Sequence, residues 1–216
     1  MKLSRLYTVI AVLSLLAPLA ACAPSMIPAS TPGAVFDTEA RTASMEKDGI
    51  AVTVISDAWR YDPADVKYQF TPLYLQVQNN TESPILVARD GALMFDEYNT
   101  QYGALTPEEV DRAVTPLYEY PPVVFWGGAG YYWGWDDWAW GLSAGYPYYI
   151  YPHDYYTSQV IPKSYRYGIV APGAKVVGFV YFQEPDKAAQ RLIVSITPEF
   201  SDGSKSEFRF NFIMEQ

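Results

Sequence analysis

The 216-residue chain sets 24 acidic side chains against 15 basic ones, a formal charge of −9, and that sign repels phosphate backbones and makes nucleic acid a poor partner. One cysteine and one histidine leave no disulfide framework and no metal centre built on those ligands. Stability must therefore come from the hydrophobic core, and the length suffices for one sizeable domain with extras.

Lys2 and Arg5 give a short positive start, Leu6 to Leu19 an apolar run, and Ala20 and Ala21 small residues before Cys22. That order reads as a secretory leader over residues 1–21, too short and wrongly flanked for a spanning helix. Leu19-Ala20-Ala21-Cys22 resembles the bacterial lipobox. The resemblance implies removal of the leader, acylation of Cys22 and a lipid-anchored mature chain. Each buried methylene contributes about 0.8 kcal/mol, so one acyl chain holds marginally and several hold firmly. Ala23 stands where lipoproteins kept at the inner membrane often carry Asp, so the resemblance further implies the outer membrane. Without Lys2 and Arg5 the charge passes from −9 to −11, which repels anionic headgroups. Membrane contact beyond the anchor then falls to apolar and aromatic surface.

Residues 23–47 are rich in Pro, Ser, Thr and Ala with no apolar period, which predicts a semi-extended lipidated tether over 22–47. The body is expected over 48–216. Ile50, Val52, Thr53, Val54 and Ile55 form a β-branched run that reads as a strand. Leu73, Leu75 and Val77 alternate with Tyr74, Gln76 and Gln78, the period of a half-buried strand. Residues 79–84, Asn-Asn-Thr-Glu-Ser-Pro, are turn chemistry, and Ile85 to Val87 resume extended structure. Residues 92–105 read as a hairpin bending near Glu97 to Gln101. One short helix is signposted: Thr106 caps it, Pro107 opens it, Glu109 completes a capping box, and it should end near Ala113 ahead of Pro116.

Further on, residues 164–185 predict two strands broken at Pro172-Gly173. Residues 191–214 predict another hairpin, with Leu192, Val194 and Ile196 on one face, Asp202-Gly203 as turn chemistry, and Phe208, Phe210 and Phe212 alternating with Arg209 and Asn211. Seven or eight short strands with regular turns, no βαβ rhythm and no repeat predict an all-β antiparallel sandwich. Two stretches, LYLQVQNNTESPILV and IVAPGAKVVGFVYF, resemble bacterial lipoproteins and secreted proteins with an immunoglobulin-like sandwich. In those a strand ends in Asn-x-Thr, and a later one follows Pro-Gly and carries Gly-x-Val-x-Phe. The matching residues are Asn79 or Asn80 with Thr81, then Pro172, Gly173, Gly178, Val180 and Phe182. The resemblance implies the fold; it carries no activity.

Between Pro121 and Gln159 lies a Trp/Tyr/Gly-rich segment without counterpart in that pattern, which reads as an insertion. Five of the six tryptophans, Trp126, Trp133, Trp135, Trp138 and Trp140, fall in it, together with Tyr148, Tyr149 and Tyr151 and no Lys or Arg. Such a piece is too long for a structureless loop of a compact domain. Trp and Tyr join an apolar body to a polar tip and collect at membrane headgroup depth. Three readings stand open. The rings form a surface for the membrane interface or a protein partner; they stack on peptidoglycan or polysaccharide, with Asp136, Asp137 and Asp154 as acceptors; or they fold back as an accessory core.

Catalytic signals are weak. His153 adjoins Asp154, but neighbours in an extended chain point opposite ways. Asp136-Asp137 has no third partner, and no nucleophile elbow or histidine cluster exists in the sequence. Asp62, Asp65, Asp90 and Asp96 lack the dense spacing of a calcium loop. The sequence therefore predicts a non-enzymatic outer-membrane lipoprotein with no cofactor or metal. Its binding surface would be Trp126, Trp133, Trp135, Trp138, Trp140, Tyr148, Tyr149 and Tyr151, and its partner the membrane, an envelope protein or a polysaccharide.

Overall fold

A computed structural model describes residues 25–115 and 158–215. The fold is all-β and sandwich-like, built from two five-stranded sheets and one small sheet. The first sheet runs, in spatial order, β1 (Ser25–Pro28), β13 (Phe208–Glu215), β11 (Arg191–Ile196), β7 (Ala92–Asp96) and β8 (Gln101–Gly103). The second runs β10 (Lys175–Gln183), β5 (Phe70–Asn79), β4 (Ile50–Ile55), β3 (Thr42–Lys47) and β2 (Ala34–Asp37). The small sheet joins β12 (Glu199–Phe200), β6 (Ile85–Val87) and β9 (Gly168–Val170). Neighbouring strands pair antiparallel throughout.

The expected strands set the main core. Ile50, Val52 and Val54 of β4, Leu73, Leu75 and Val77 of β5, and Val180 and Phe182 of β10 line one inner face. Leu192, Val194 and Ile196 of β11 and Phe208, Phe210 and Phe212 of β13 line the other, all in one continuous cluster. Each such side chain contributes about 1.5–3 kcal/mol on burial. The bend near residues 97–100 is found between β7 and β8.

Residues 25–47 depart from the expected tether. They form β1, β2 and β3, which brings the strands to thirteen among the described residues. Ser25 to Pro28 pair with Glu215 to Phe212, so the start of the described chain lies against its end. Met26 and Ala43 are buried in the main core. The prolines fit because Pro28 closes an edge strand and Pro32 sits in the following turn, where no ladder donor is needed. β3 and β4 join through Asp48-Gly49, with φ of 53° and 76° at the two residues, the left-handed pair that a tight hairpin requires.

Both motifs of the immunoglobulin-like resemblance meet at one corner. Asn79 is fully buried; its Nδ2 donates to Ser83 O (2.8 Å) and Val170 O (3.0 Å), and its Oδ1 accepts from Thr81 N (3.0 Å) and Oγ1 (2.7 Å). Gly173 N donates to Asn79 O, and Asn79 N to Ala174 O. Asn79 thus fastens the turn after β5 to β9 through its side chain and to the Pro172-Gly173 turn through its backbone.

Among the described residues three α-helices and a single 3-10 turn (Arg89–Gly91) stand where one helix was expected. α2 (Pro107–Val114) has the expected capping box: Glu109 N donates to Thr106 Oγ1 (3.2 Å), and Thr106 N to Glu109 Oε2 (2.8 Å). α1 (Val66–Gln69) and α3 (Val160–Lys163) are single turns without a side-chain cap. They form through packing instead, because an isolated turn that short is unstable. The three helices cover the outer face of the second sheet and close a smaller core: Val66, Val110, Val114 and Val160 against Trp59, Phe179 and Tyr181. β10 is consequently buried on both faces. From α3 the chain passes to Tyr165, which belongs to the main core, crossing β10 at Gly178. A Cβ there would lie 2.5 Å from Tyr165 N and Cα, so only glycine permits the crossing.

Candidate functional site

All the expected site residues lie outside the described residues: Cys22, Trp126, Trp133, Trp135, Trp138, Trp140, Tyr148, Tyr149 and Tyr151. Asp136, Asp137, His153 and Asp154 lie outside them as well. What is described is the ground from which these segments depart. The N-terminal segment joins at Ser25, and the aromatic segment leaves after Thr115 and returns at Ser158.

Two of these points, Ser25 and the returning stem at Gln159, meet the loop from Asp57 to Pro63. Ser25 Oγ donates to Asp57 Oδ2 at 2.6 Å. Asp57 takes a φ of 51°, turning the chain out of β4. Arg60 Nη1 then donates to Asp57 O (2.6 Å) and Trp59 O (2.9 Å), which fixes the loop. Gln159 N donates to Asp62 O at 2.8 Å, tying the returning stem of the aromatic segment to the same loop. The departing stem follows α2, which packs on both α1 and α3.

Trp59, the one tryptophan outside the aromatic segment, anchors this region. It is 3% exposed, its Nε1 donates to Pro63 O (2.9 Å), and its ring meets Phe179 edge-on at 4.9 Å. Tyr61 and Tyr181 complete the group edge-on at 5.5 and 5.9 Å. Tyr181 Oη donates to Val160 O at 2.9 Å. Burial, with Asp111 nearby, holds the Tyr181 hydroxyl well above the usual tyrosine range, so it stays a neutral donor. Its structural role is to pin α3, and with it the returning stem.

Beside this aromatic group lies a cleft of about 360 Å³, lined among others by Ser25, Arg60, Lys67, Tyr68, Glu184 and Met214. Lys67 Nζ sits 5.0 Å from the centre of the Tyr68 ring, and Lys163 Nζ 4.6 Å from that of Tyr61. Tyr68 is 51% exposed and Tyr61 37%. None of Arg60, Lys67 and Lys163 forms an ion pair among the described residues. No motif announced this grouping, which is assembled from a loop and two single-turn helices.

The acids weighed for calcium do not converge. Asp96 is buried and its carboxylate is spent on its own hairpin, accepting from Thr100 N (2.8 Å), Tyr98 N (2.9 Å) and Tyr102 Oη (3.1 Å). Burial pushes this carboxyl up, and the hydrogen bonds from Thr100, Tyr102 and Tyr98 outweigh it, leaving the group below its ordinary range. Among the described residues no three His, Cys, Asp or Glu side chains gather as metal ligands do, and no helix is long and apolar enough to cross a membrane. No protein family, curated protein or solved structure matches the chain.

Proposed function

We propose that the protein is a non-enzymatic outer-membrane lipoprotein, anchored by acylated Cys22, whose sandwich presents the aromatic segment to the membrane interface. Kinship with immunoglobulin-like sandwiches is part of this reading. The observation that carries it is the shared end: the chain from Cys22 enters at Ser25, and the stem at Gln159 is hydrogen-bonded to the loop that Ser25 touches. A segment dense in Trp and Tyr and free of Lys and Arg suits the boundary between hydrocarbon and headgroups. The anchor brings it there, since only Ala23 and Pro24 separate Cys22 from β1. A protein partner at that boundary would meet the same rings.

Two experiments test the reading. Cys22→Ala should shift the protein out of the outer-membrane fraction; continued retention there contradicts the anchor. Replacing residues 116–157 by a short Gly/Ser linker should leave the sandwich folded and remove aromatic contact with the bilayer. Ser158 and Gln159 are kept in that deletion because Gln159 holds Asp62. Collapse of the truncated body would instead make the segment part of the core.

A further inference from the structure

We infer that the cleft end of the sandwich is itself a phospholipid-headgroup docking surface, with Arg60 and Lys67 receiving the phosphate and Tyr68 lying at the interface. This rests on the lipid-anchor reading and adds to it a site within the folded body.

Three observations point to it. First, reach: Cys22 is three residues from Ser25, and a chain spans at most ~3.6 Å per residue, so Ser25 lies within roughly 11 Å of an acylated cysteine. Ser25 lines the cleft, which therefore cannot stand far from the bilayer surface. Second, charge: in a chain of net −9, Arg60, Lys67 and Lys163 gather at this end without an ion pair among the described residues, and Arg60 and Lys67 match in number the carboxylates of Asp57 and Glu184 that line the same cleft. The proposal thus adds basic side chains to a membrane contact otherwise left to apolar and aromatic surface. Third, shape and chemistry: exposed Tyr68 and Tyr61 lie beneath Lys67 and Lys163, the amphipathic rings and snorkelling cations that suit headgroup depth. The Arg60 guanidinium is positioned by its two backbone carbonyl contacts, which leaves donors of its planar fork for a phosphate oxygen.

The occupant is the bilayer that holds the anchor. Near an anionic leaflet each cation contributes about 1 kcal/mol. Removing two should therefore shift the balance of docked to undocked bodies by about thirty-fold, at 1.4 kcal/mol per tenfold.

The test uses the full, processed and lipidated chain in phosphatidylethanolamine–phosphatidylglycerol vesicles containing headgroup-spin-labelled lipid. A fluorophore is placed on Glu184→Cys at the cleft or on Asp202→Cys at the far end. We expect strong quenching at 184 and little at 202, with quenching at 184 falling to the far-end level in Arg60→Gln/Lys67→Gln. Thermal melting checks that the doubly substituted body remains folded. Equal quenching at the two positions overturns docking while leaving the anchor intact. Quenching at 184 that survives the double substitution shows orientation by the short linker alone and overturns the headgroup site. Failure of the lipidated chain to float with the vesicles overturns the anchor and the docking surface together.

Discussion

The two ends of the sandwich use their polar groups in different ways. At the Asn79 end they are turned inward: the carboxamide makes four hydrogen bonds, Gly49 and Thr81 are in close contact, and Ser206 Oγ donates to Asp48 Oδ2 at 2.7 Å to join the two sheets. At the Ser25 end Arg41 pairs with Asp57 and Glu215, while Arg60, Lys67 and Lys163 stay unpaired among the described residues beside tyrosine rings and a cleft. Both ends hold the fold, the Asn79 end through uncharged groups and the Ser25 end through carboxylates, and only the Ser25 end adds the cleft with its unpaired Arg60 and Lys67. Stability should therefore respond most to substitution at Asn79, and contact to substitution at the cleft.

The largest expected effect breaks the structural end. Asn79→Ala removes four hydrogen bonds and leaves the Ser83 and Val170 carbonyls without that donor. A loss of about 3 kcal/mol is expected, which for a domain of this size lowers Tm by roughly 6–12 °C. Calorimetry checks it, and an unchanged Tm would show that the corner does not fasten the turns.

Acid sharpens the contrast. Asp96 and Glu97 lie at the Ser25 end, where Glu97 accepts from Gln190 N (2.9 Å) and Arg191 N (3.1 Å). The Gln190 N–H is the main influence holding Glu97 below its ordinary value, as the Thr100, Tyr102 and Tyr98 bonds do for Asp96 against its burial. A carboxyl whose folded value is depressed contributes stability above its unfolded value, and that contribution disappears as pH falls through the folded one. From ordinary values of 3.8 for Asp and 4.5 for Glu downward, the β7–β8 hairpin should loosen before the uncharged Asn79 corner. Hydrogen exchange read at Thr100 and at Thr81 checks the order, and simultaneous loss of protection contradicts it.

The smallest effect is expected at the cleft. Arg60→Gln/Lys67→Gln changes exposed side chains without ion pairs among the described residues but removes the two Arg60 hydrogen bonds that fix the loop, so stability should fall by about 1–2 kcal/mol, roughly 2–8 °C in Tm. A larger drop would mean that these cations hold the fold.

The two ends were also unequally legible. Period-two alternation revealed β5, β11 and β13, because each buries one face in the main core, a β-branched run revealed β4, and Thr106-Pro107-Glu109 revealed α2 through local hydrogen bonds. The Asn-x-Thr and Pro-Gly stretches were visible as turns, yet their meeting at Asn79 is a long-range contact that neither stretch encodes alone. β1 to β3 were missed because strands of four to six residues between prolines and turns show no period, although Asp48-Gly49 carries a strong local hairpin signal. The cleft left no trace, since Ser25, Arg60, Lys67 and Glu184 come together only after β1 pairs with β13 and β10 with β5. α1 and α3 owe their form to the core beneath them, and their four residues contain no cap.

Quenching of tryptophan fluorescence by brominated phospholipid in vesicles bearing the lipidated protein tests most directly whether the aromatic segment meets the membrane beside the anchor. Trp59, buried in the smaller core but beside the cleft, is the emission that remains when residues 116–157 are replaced, and that variant gives the background against which the five clustered tryptophans report. The account predicts that most of the emission is quenched and that quenching is lost when residues 116–157 are replaced. Emission as bright on brominated as on plain vesicles, with the protein still bound, would contradict it.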